Sequence, residues 1–286
     1  MRSRSLRRLH PALRDDIGDL VTRRPLPGPR LPHLDPFLFL NHHGPQTYAP
    51  GNRGLPFGPH PHRGFETVTF ILDGELAHLD SGGHESIITA GGVQWMTAGR
   101  GLVHAELSPA GFKRRGGPLE ILQLWVNLPA RLKLTEPRYV GLQAADLPVA
   151  TAGGVRVVPV TGAWNGVAGP VRSLTGLTLM TVHLDPGARF QAPLPPGHAV
   201  FLYTVRGGID IGGQAAPAFH LVELDGDGDG LDLTAGDDGA ILLFGHGEPF
   251  AEPIVAHGPF VMNTRDEIVQ AVQDYQAGLF GTVPGL

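Results

Sequence analysis

The sequence contains no cysteine. Disulfide bonds, thiolate nucleophiles and cysteine metal ligands are therefore excluded, and any metal must be held by histidine, aspartate or glutamate. No stretch approaches the roughly 20 apolar residues that a membrane span requires. The basic first residues, MRSRSLRRLHPALRDD, lack the apolar segment of a secretory signal. Because the absence of cysteine suits a reducing compartment, we expect a cytoplasmic protein without membrane contact.

An excess of positive charge is also missing, since the formal net charge is −5. Such a chain has no general attraction for nucleic acid or for anionic membranes, so we expect no direct nucleic-acid partner. Lysine is scarce, because only Lys113 and Lys133 occur among 22 basic residues. This preference for arginine is typical of a GC-rich bacterial genome and says nothing about function.

Glycine and proline, in contrast, are abundant, with 41 and 27 residues respectively. They separate short β-branched or alternating runs such as ETVTFIL, VQWMT, LEILQLWVNL, LTLMTVHL and AVFLYTV. This pattern predicts an all-β protein built from sandwiches or barrels. One helix is expected near the C-terminus, in NTRDEIVQAVQDYQAGLF, where Thr264 and Glu267 form a capping box.

A weak internal repeat suggests two similar β-domains. The segment 62–80 aligns with 195–213, and ITAGGVQWMTAGRG aligns with LTAGDDGAILLFGHG. We therefore predict an N-terminal domain at 1–140 and a C-terminal domain at 150–286, the latter carrying the terminal helix.

Two pairs of potential metal ligands lie in the first copy of the repeat. His60 and His62 are two residues apart in one predicted strand, and His104 and Glu106 are two apart in another. Residues i and i+2 of a strand face the same side, so the two pairs can surround one point. Three imidazoles and a carboxylate suit a divalent first-row metal. In the second copy, prolines replace the first pair, so we expect no metal there.

Glu66 has the same strand parity as His60 and His62, which leaves two alternatives open. It could be a fifth ligand, or an acceptor for the N–H group of a ligating imidazole. The remaining histidines, among them His198 and His246, have no paired spacing and are interpreted as ordinary structural residues.

Several sequence blocks resemble the pirin family: DPFLFLNHHGP, HPHRGFETVTFILDGE, VQWMTAGRGLVHAE, LQLWVNLP and GEPFAEPIVAHGPFVMNTRDEI. The resemblance covers most of residues 18 to 280. It implies a bicupin, with two cupin (jelly-roll type) β-barrel domains, a metal in the N-terminal barrel and none in the C-terminal one. The family's ligands match His60, His62, His104 and Glu106, whereas the family glutamate that matches Glu66 is not a ligand.

The resemblance also implies an activity and a cofactor. Bacterial relatives are linked to quercetin 2,3-dioxygenase activity, so we expect a metal-dependent dioxygenase that acts on flavonol-type substrates with O2. Glu106 would then also be the base for the flavonol hydroxyl. The expected cofactor is one divalent ion, Fe²⁺ in first place, with Zn²⁺, Mn²⁺, Ni²⁺ or Cu²⁺ as alternatives.

A second function from another class stays open. Because animal relatives are nuclear transcription cofactors, the alternative is a non-catalytic iron-binding regulatory protein that acts through a protein partner. We expect a monomer in either case.

The substrate pocket is expected at the mouth of the first barrel. Candidate wall residues are Phe57, which enters the first ligand strand, and the strand residues Gln94, Trp95 and Met96. Because strand side chains alternate, either Gln94 and Met96 face the pocket together or Trp95 faces it alone.

Overall fold

The computed structural model describes residues 1–285. The first half of the chain is almost entirely β-structure with one short helix, α1 (Ala110–Arg115). Its strands are β1 (Leu6–Pro11), β2 (Leu13–Arg14), β3 (Thr22–Leu26), β4 (Phe37–Tyr48), β5 (Phe57–His62), β6 (Phe65–Asp73), β7 (Glu75–Asp80), β8 (Glu85–Thr89), β9 (Val93–Thr97), β10 (Leu102–Leu107), β11 (Gly117–Asn127) and β12 (Arg138–Leu142). Short 3₁₀ turns lie before β12 at Ala130–Leu132 and after it at Ala144–Asp146.

The second half continues the pattern and ends in helix α2 (Arg265–Gln276). Its strands are β13 (Ala150–Ala152), β14 (Val155–Thr161), β15 (Ala163–Trp164), β16 (Val167–Ala168), β17 (Thr178–Leu184), β18 (Arg189–Pro193), β19 (Ala199–Ile211), β20 (Gln214–Pro217), β21 (His220–Leu224), β22 (Gly230–Gly247), β23 (Val255–His257) and β24 (Phe260–Met262). The all-β prediction is confirmed, and so is the terminal helix, which begins with the Thr264–Glu267 capping box. Within residues 1–285, no helix is long and apolar enough to cross a membrane.

The chain divides into two compact units, and the first contains the predicted metal ligands. This unit consists of residues 14–23, 37–145 and 250–285. A seven-stranded sheet has the order β12-β9-β6-β11-β4-β3-β2, and a four-stranded sheet has the order β5-β10-β7-β8. The pairing of β5 with β10 brings the two predicted ligand strands side by side.

The other unit consists of residues 1–13, 24–36 and 146–249. Its nine-stranded sheet follows the path β1-β21-β19-β22-β17-β14-β13. In addition, β18 pairs with β22, and β20 pairs with β19. Phe190, Leu202, Leu242 and Phe244 belong to one large buried core inside it. We call the two units the first and the second barrel.

The terminal segments do not follow the predicted contiguous domains, 1–140 and 150–286. Strand β1 pairs with β21, which places the N-terminus in the second barrel. Helix α2 belongs to the first barrel, where Ile268 packs in one apolar cluster with Val103 and Phe260. The repeat showed where the two copies meet, but a weak local alignment carries no information on ladders formed between distant segments.

Candidate metal centre

Three of the four predicted ligands lie together on neighbouring strands. His104 of β10 stands directly opposite His60 of β5 in the antiparallel ladder, and His62 follows two residues later. The ring centroids are 4.8 Å apart for His60 and His62, 4.4 Å for His60 and His104, and 5.0 Å for His62 and His104. One ring nitrogen from each residue lies within 4.8 Å of the others. The three imidazoles that the i, i+2 spacing singled out in the sequence therefore form a cluster in the structure.

Main-chain carbonyls fix the tautomers of two of these rings. His60 Nδ1 lies 2.8 Å from the carbonyl oxygen of Gly58, and His62 Nδ1 lies 3.3 Å from that of Pro259. A carbonyl oxygen only accepts, so each Nδ1 carries the hydrogen and donates it. In the neutral rings the Nε2 atoms keep their lone pairs. This arrangement is the usual one for histidines that bind metal through Nε2.

The third ring, His104, is buried without any hydrogen-bond partner. Its side chain is 1% exposed, and neither ring nitrogen is hydrogen-bonded within residues 1–285. Burial, followed by the neighbouring imidazoles, holds the pKa of His104 well below its ordinary value. Burial also lowers the pKa of His62 to about 3, with a further contribution from His60. Buried polar groups without partners are rare and require an explanation.

A divalent cation supplies that explanation. The cluster offers imidazole nitrogens, donors that first-row divalent metals accept as ligands, and a bound ion would satisfy a His104 nitrogen. The residues present therefore fit a metal. The cluster could bind one, while the nitrogen donors alone do not select a particular ion.

Glu106 lies beside the imidazoles but is not part of their cluster. It follows His104 on the same face of β10, opposite Phe57 on one side and His78 on the other. Its carboxylate accepts hydrogen bonds from the hydroxyl of Thr69, at 3.2 Å, and from the side-chain amide of Gln123. Glu106 therefore follows His104 on the same strand, while protein donors hold its carboxylate.

Thr69 and Gln123 were not identified from the sequence. Each lies in a largely apolar segment, ETVTFIL or LEILQLWVNL, that also contains other polar residues, such as Glu66 and Glu120. A polar residue at an inward position of such a strand is the signal that could have revealed them.

The pairing of β9 with β6 shows which of the candidate wall residues on β9 share a sheet face. Gln94 is the cross-strand neighbour of Thr69, the residue that binds Glu106, so Gln94 and Met96 share the face of the site. Trp95 points to the opposite face. Phe57 stands opposite Glu106 in the β5–β10 ladder, and its ring centroid lies 5.3 Å from that of His43.

Glu66 has a different environment from the one expected. Its carboxylate accepts hydrogen bonds from Trp95 Nε1, at 3.0 Å, and from Thr97 Oγ1, at 2.6 Å, and from no imidazole within residues 1–285. Gly64, at φ +88°, separates β5 from β6 and interrupts the alternation on which the expectation depended. Burial raises the pKa of Glu66, partly offset by its two donors.

A further group of aromatic and acidic side chains closes one side of the cluster. The His78 ring lies 5.4 Å from that of His104 and stacks on Tyr139 at 4.1 Å and 11°. Its Nε2 hydrogen-bonds to Asp80 at 3.0 Å. Burial is the main reason that the pKa of Tyr139 rises to about 12, so the phenol is neutral at physiological pH. His78 was not predicted as a site residue, although its i, i+2 spacing to Asp80 is a signal that could have revealed it.

The family models match both halves of this chain. A pirin model covers residues 19–126, and a model described as the pirin C-terminal cupin domain covers residues 179–281. The chain belongs to the pirin family. The predicted bicupin fold and the predicted family are thereby confirmed.

Individual relatives agree with this assignment. A Pseudomonas aeruginosa protein named "putative quercetin 2,3-dioxygenase" is 40% identical over 252 residues, which are 87% of each chain. Human pirin is 38% identical over 267 residues, which cover 92% of this chain and 88% of pirin. The crystal structure of quercetin 2,3-dioxygenase from Acinetobacter baumannii superimposes with a TM-score of 0.90 at 30% identity, covering 98% of this chain and 99% of the other.

Proposed function

We propose that this pirin is a metal-dependent dioxygenase that acts on flavonol-type substrates with O2, of the quercetin 2,3-dioxygenase type. The observation that carries the proposal is the His60–His62–His104 cluster, partly buried at His60 and buried at the other two, with an adjacent carboxylate held by protein donors. The names of the Pseudomonas and Acinetobacter relatives support the same chemistry.

The proposed metal ligands are His60, His62 and His104, with Glu106 as the fourth. A divalent ion bound there, Fe²⁺ in first place with Zn²⁺, Mn²⁺, Ni²⁺ or Cu²⁺ as alternatives, would supply Lewis acidity and a common site for the substrate oxygens and O2. The Nδ1 hydrogen bonds to the carbonyls of Gly58 and Pro259 keep two of the rings oriented toward this point.

Glu106 is the proposed base. In that role an oxygen of its carboxylate accepts the hydroxyl proton of the flavonol, which leaves the substrate as an enolate that reacts more readily with O2. The Thr69 hydroxyl and the Gln123 amide each hold a different oxygen of this carboxylate. They therefore fix its direction relative to the imidazoles.

The walls of the site suit a flat aromatic substrate. Phe57 and Met96 contribute apolar surface, while Gln94 offers an amide for a substrate oxygen. Neither Lys nor Arg occurs among these wall residues, whereas a sugar phosphate would require cations.

The test is incubation of metal-reconstituted protein with quercetin in air and under anaerobic conditions. We expect O2 uptake and loss of the flavonol absorbance in air only. Glu106→Gln should abolish the reaction, because it removes the charge and basicity of the carboxylate at nearly constant size. The matched control is Glu66→Gln, a buried carboxylate of the same barrel that lies on the opposite sheet face. It should retain the reaction.

The opposite result would favour the regulatory alternative. A fully metallated protein that leaves quercetin unchanged in air refutes the dioxygenase proposal. If Glu106→Gln then alters the binding of a protein partner, a regulatory role of the metal centre replaces it.

A further inference from the structure

The second barrel contains a cavity of about 500 Å³ that the proposed function does not use. Its walls come from the short hairpin β15–β16 and from strands β17, β18 and β22. In the sequence repeat, Pro193 and Pro195 take the places of His60 and His62, and both prolines line this cavity. The second copy therefore retains a half-open cavity at the place where prolines replace the imidazoles of the first copy.

Most of the cavity wall is apolar and aromatic. Trp164, Met180, Leu194 and Phe244 line it, and no Lys, Arg, Asp or Glu does so among residues 1–285. Both aromatic wall residues pack on Phe190, Trp164 stacked at 5.9 Å and Phe244 edge-on at 5.5 Å. The Trp164 Nε1–H already donates to the carbonyl of Gln191 at 3.0 Å. The aromatic part of the wall is thus packed in place, and the polar members of the lining are Asn165, Thr178 and His246.

His246 provides a polar group at the edge of this apolar space. Its Nδ1 lies 3.0 Å from Nδ1 of His198, so in the neutral pair one of these nitrogens donates and the other accepts. Its Nε2 has no hydrogen-bond partner within residues 1–285. Burial, then His198 and Arg4, lowers the pKa of His246 to about 4, so the ring is neutral at physiological pH.

We propose that the second barrel binds a small uncharged aromatic compound that carries a hydroxyl group. The aromatic body would lie between Trp164 and Phe244, and the hydroxyl would hydrogen-bond to Nε2 of His246. The volume falls within the roughly 300–1,000 Å³ of small-molecule sites. The wall has no cation for an anionic ligand, and a single imidazole pair gives too few ligands for a structural metal site.

The probe for this site is 2-naphthol, with naphthalene as the analogue that lacks the hydroxyl. Binding is measured by equilibrium dialysis of the metal-loaded full chain with fluorescence detection. Ala192→Phe fills the cavity from its buried wall, and Ala163→Trp covers it from an exposed position. We expect either change to weaken 2-naphthol binding at least 10-fold. Circular dichroism and thermal melting show whether each variant is folded. If Ala192→Phe does not fold, Ala163→Trp alone still tests the proposal.

His246→Phe tests the polar contact separately. It should weaken 2-naphthol binding to about the affinity of naphthalene and leave naphthalene binding unchanged. Met96→Trp, which narrows the proposed pocket of the first barrel, is the reciprocal control and should leave the second site intact.

Two results would overturn the proposal. One is the absence of 2-naphthol binding to the native protein at 1 mM probe. The other is binding that persists in both folded cavity variants but disappears in Met96→Trp. Since the two sites lie in different barrels, failure here leaves the flavonol assay unaffected.

Discussion

His62 donates its Nδ1 hydrogen to the main-chain carbonyl of Pro259, a residue 197 positions later in the chain. Pro259 lies in the turn between β23 and β24, and the neighbouring Val261 amide donates to the carbonyl of Arg63 at 3.1 Å. Arg63 in turn forms a 2.7 Å ion pair with Asp274 of helix α2. The C-terminal segment thus holds the strand end that presents a proposed metal ligand.

This relationship predicts that the helix contributes to metal affinity. Asp274→Asn removes the ion pair of Arg63 without touching the imidazoles. Because the outer contacts of ligating histidines are worth about 10–100-fold in metal affinity, we expect a weakening of about 10-fold for this more remote contact. We also expect a loss of about 1.5–3 kcal/mol in the free energy of unfolding, the usual value of a charge-assisted hydrogen bond. Competition with a chelator and chemical denaturation measure the two quantities.

The control for this change is Glu136→Gln. It breaks an ion pair with Arg100 whose side chains are 59% and 71% exposed, and such pairs contribute about 0–1 kcal/mol. Equal metal affinity in Asp274→Asn and Glu136→Gln would show that α2 does not support the metal centre.

Removal of a proposed ligand should lower the amount of bound metal without unfolding the protein. His62→Ala should leave far less metal bound per chain after dialysis than His198→Ala, which alters a histidine of the second barrel. The secondary structure should be retained in both, because the strands around His62 are held by a core that includes Leu76, Ile88 and Leu119. Elemental analysis and circular dichroism measure the two properties. An unfolded His62→Ala would indicate a structural metal.

The sequence was most informative where a local rule applies. Alternation along a strand placed His60 with His62 and predicted their meeting with His104, because ladder pairing converts local spacing into a three-dimensional cluster. The same rule failed for Glu66, since the glycine turn at Gly64 lies between the two strands and breaks the alternation.

Contacts between distant segments could not be predicted. His198 and His246 are 48 residues apart, yet adjacent strand ends bring their rings together. Pro259 acts through its backbone carbonyl, so its side chain gives no indication of the contact with His62. No local sequence pattern marks these contacts. The ladder between β19 and β22 creates the contact between the two histidines, and the turn after β23 creates the contact of Pro259.

The orientation of β9 gives a prediction about two neighbouring residues. Met96→Trp should raise the KM for quercetin about 10-fold or more, because Met96 shares the face of Thr69 and the site. Trp95→Phe should leave KM within about 2-fold and lower the free energy of unfolding by about 1–3 kcal/mol, since the Glu66 carboxylate loses a buried donor. Steady-state kinetics and denaturation check both values. A reversed pattern would mean that Trp95 faces the substrate.

The last prediction concerns the pH dependence of stability that His246 produces. Because its pKa is lowered to about 4 in the folded protein, the unfolded chain binds more protons between pH 6.5 and 4. The free energy of unfolding should therefore decrease as the pH falls through this window, and the contribution of His246 should level off below about pH 4. The ring is partly exposed, so we expect a contribution on the order of 2 kcal/mol, less than the full shift would give.

The variant His246→Gln lacks this contribution. Denaturant unfolding at pH 7 and pH 4.5 should therefore show a smaller decrease in the free energy of unfolding than in the native protein. The histidines that do not contact His246 have the same surroundings in both proteins and cancel in the comparison, whereas His198 loses its partner. Equal decreases would mean that the His246 ring titrates as freely in the folded barrel as in the unfolded chain.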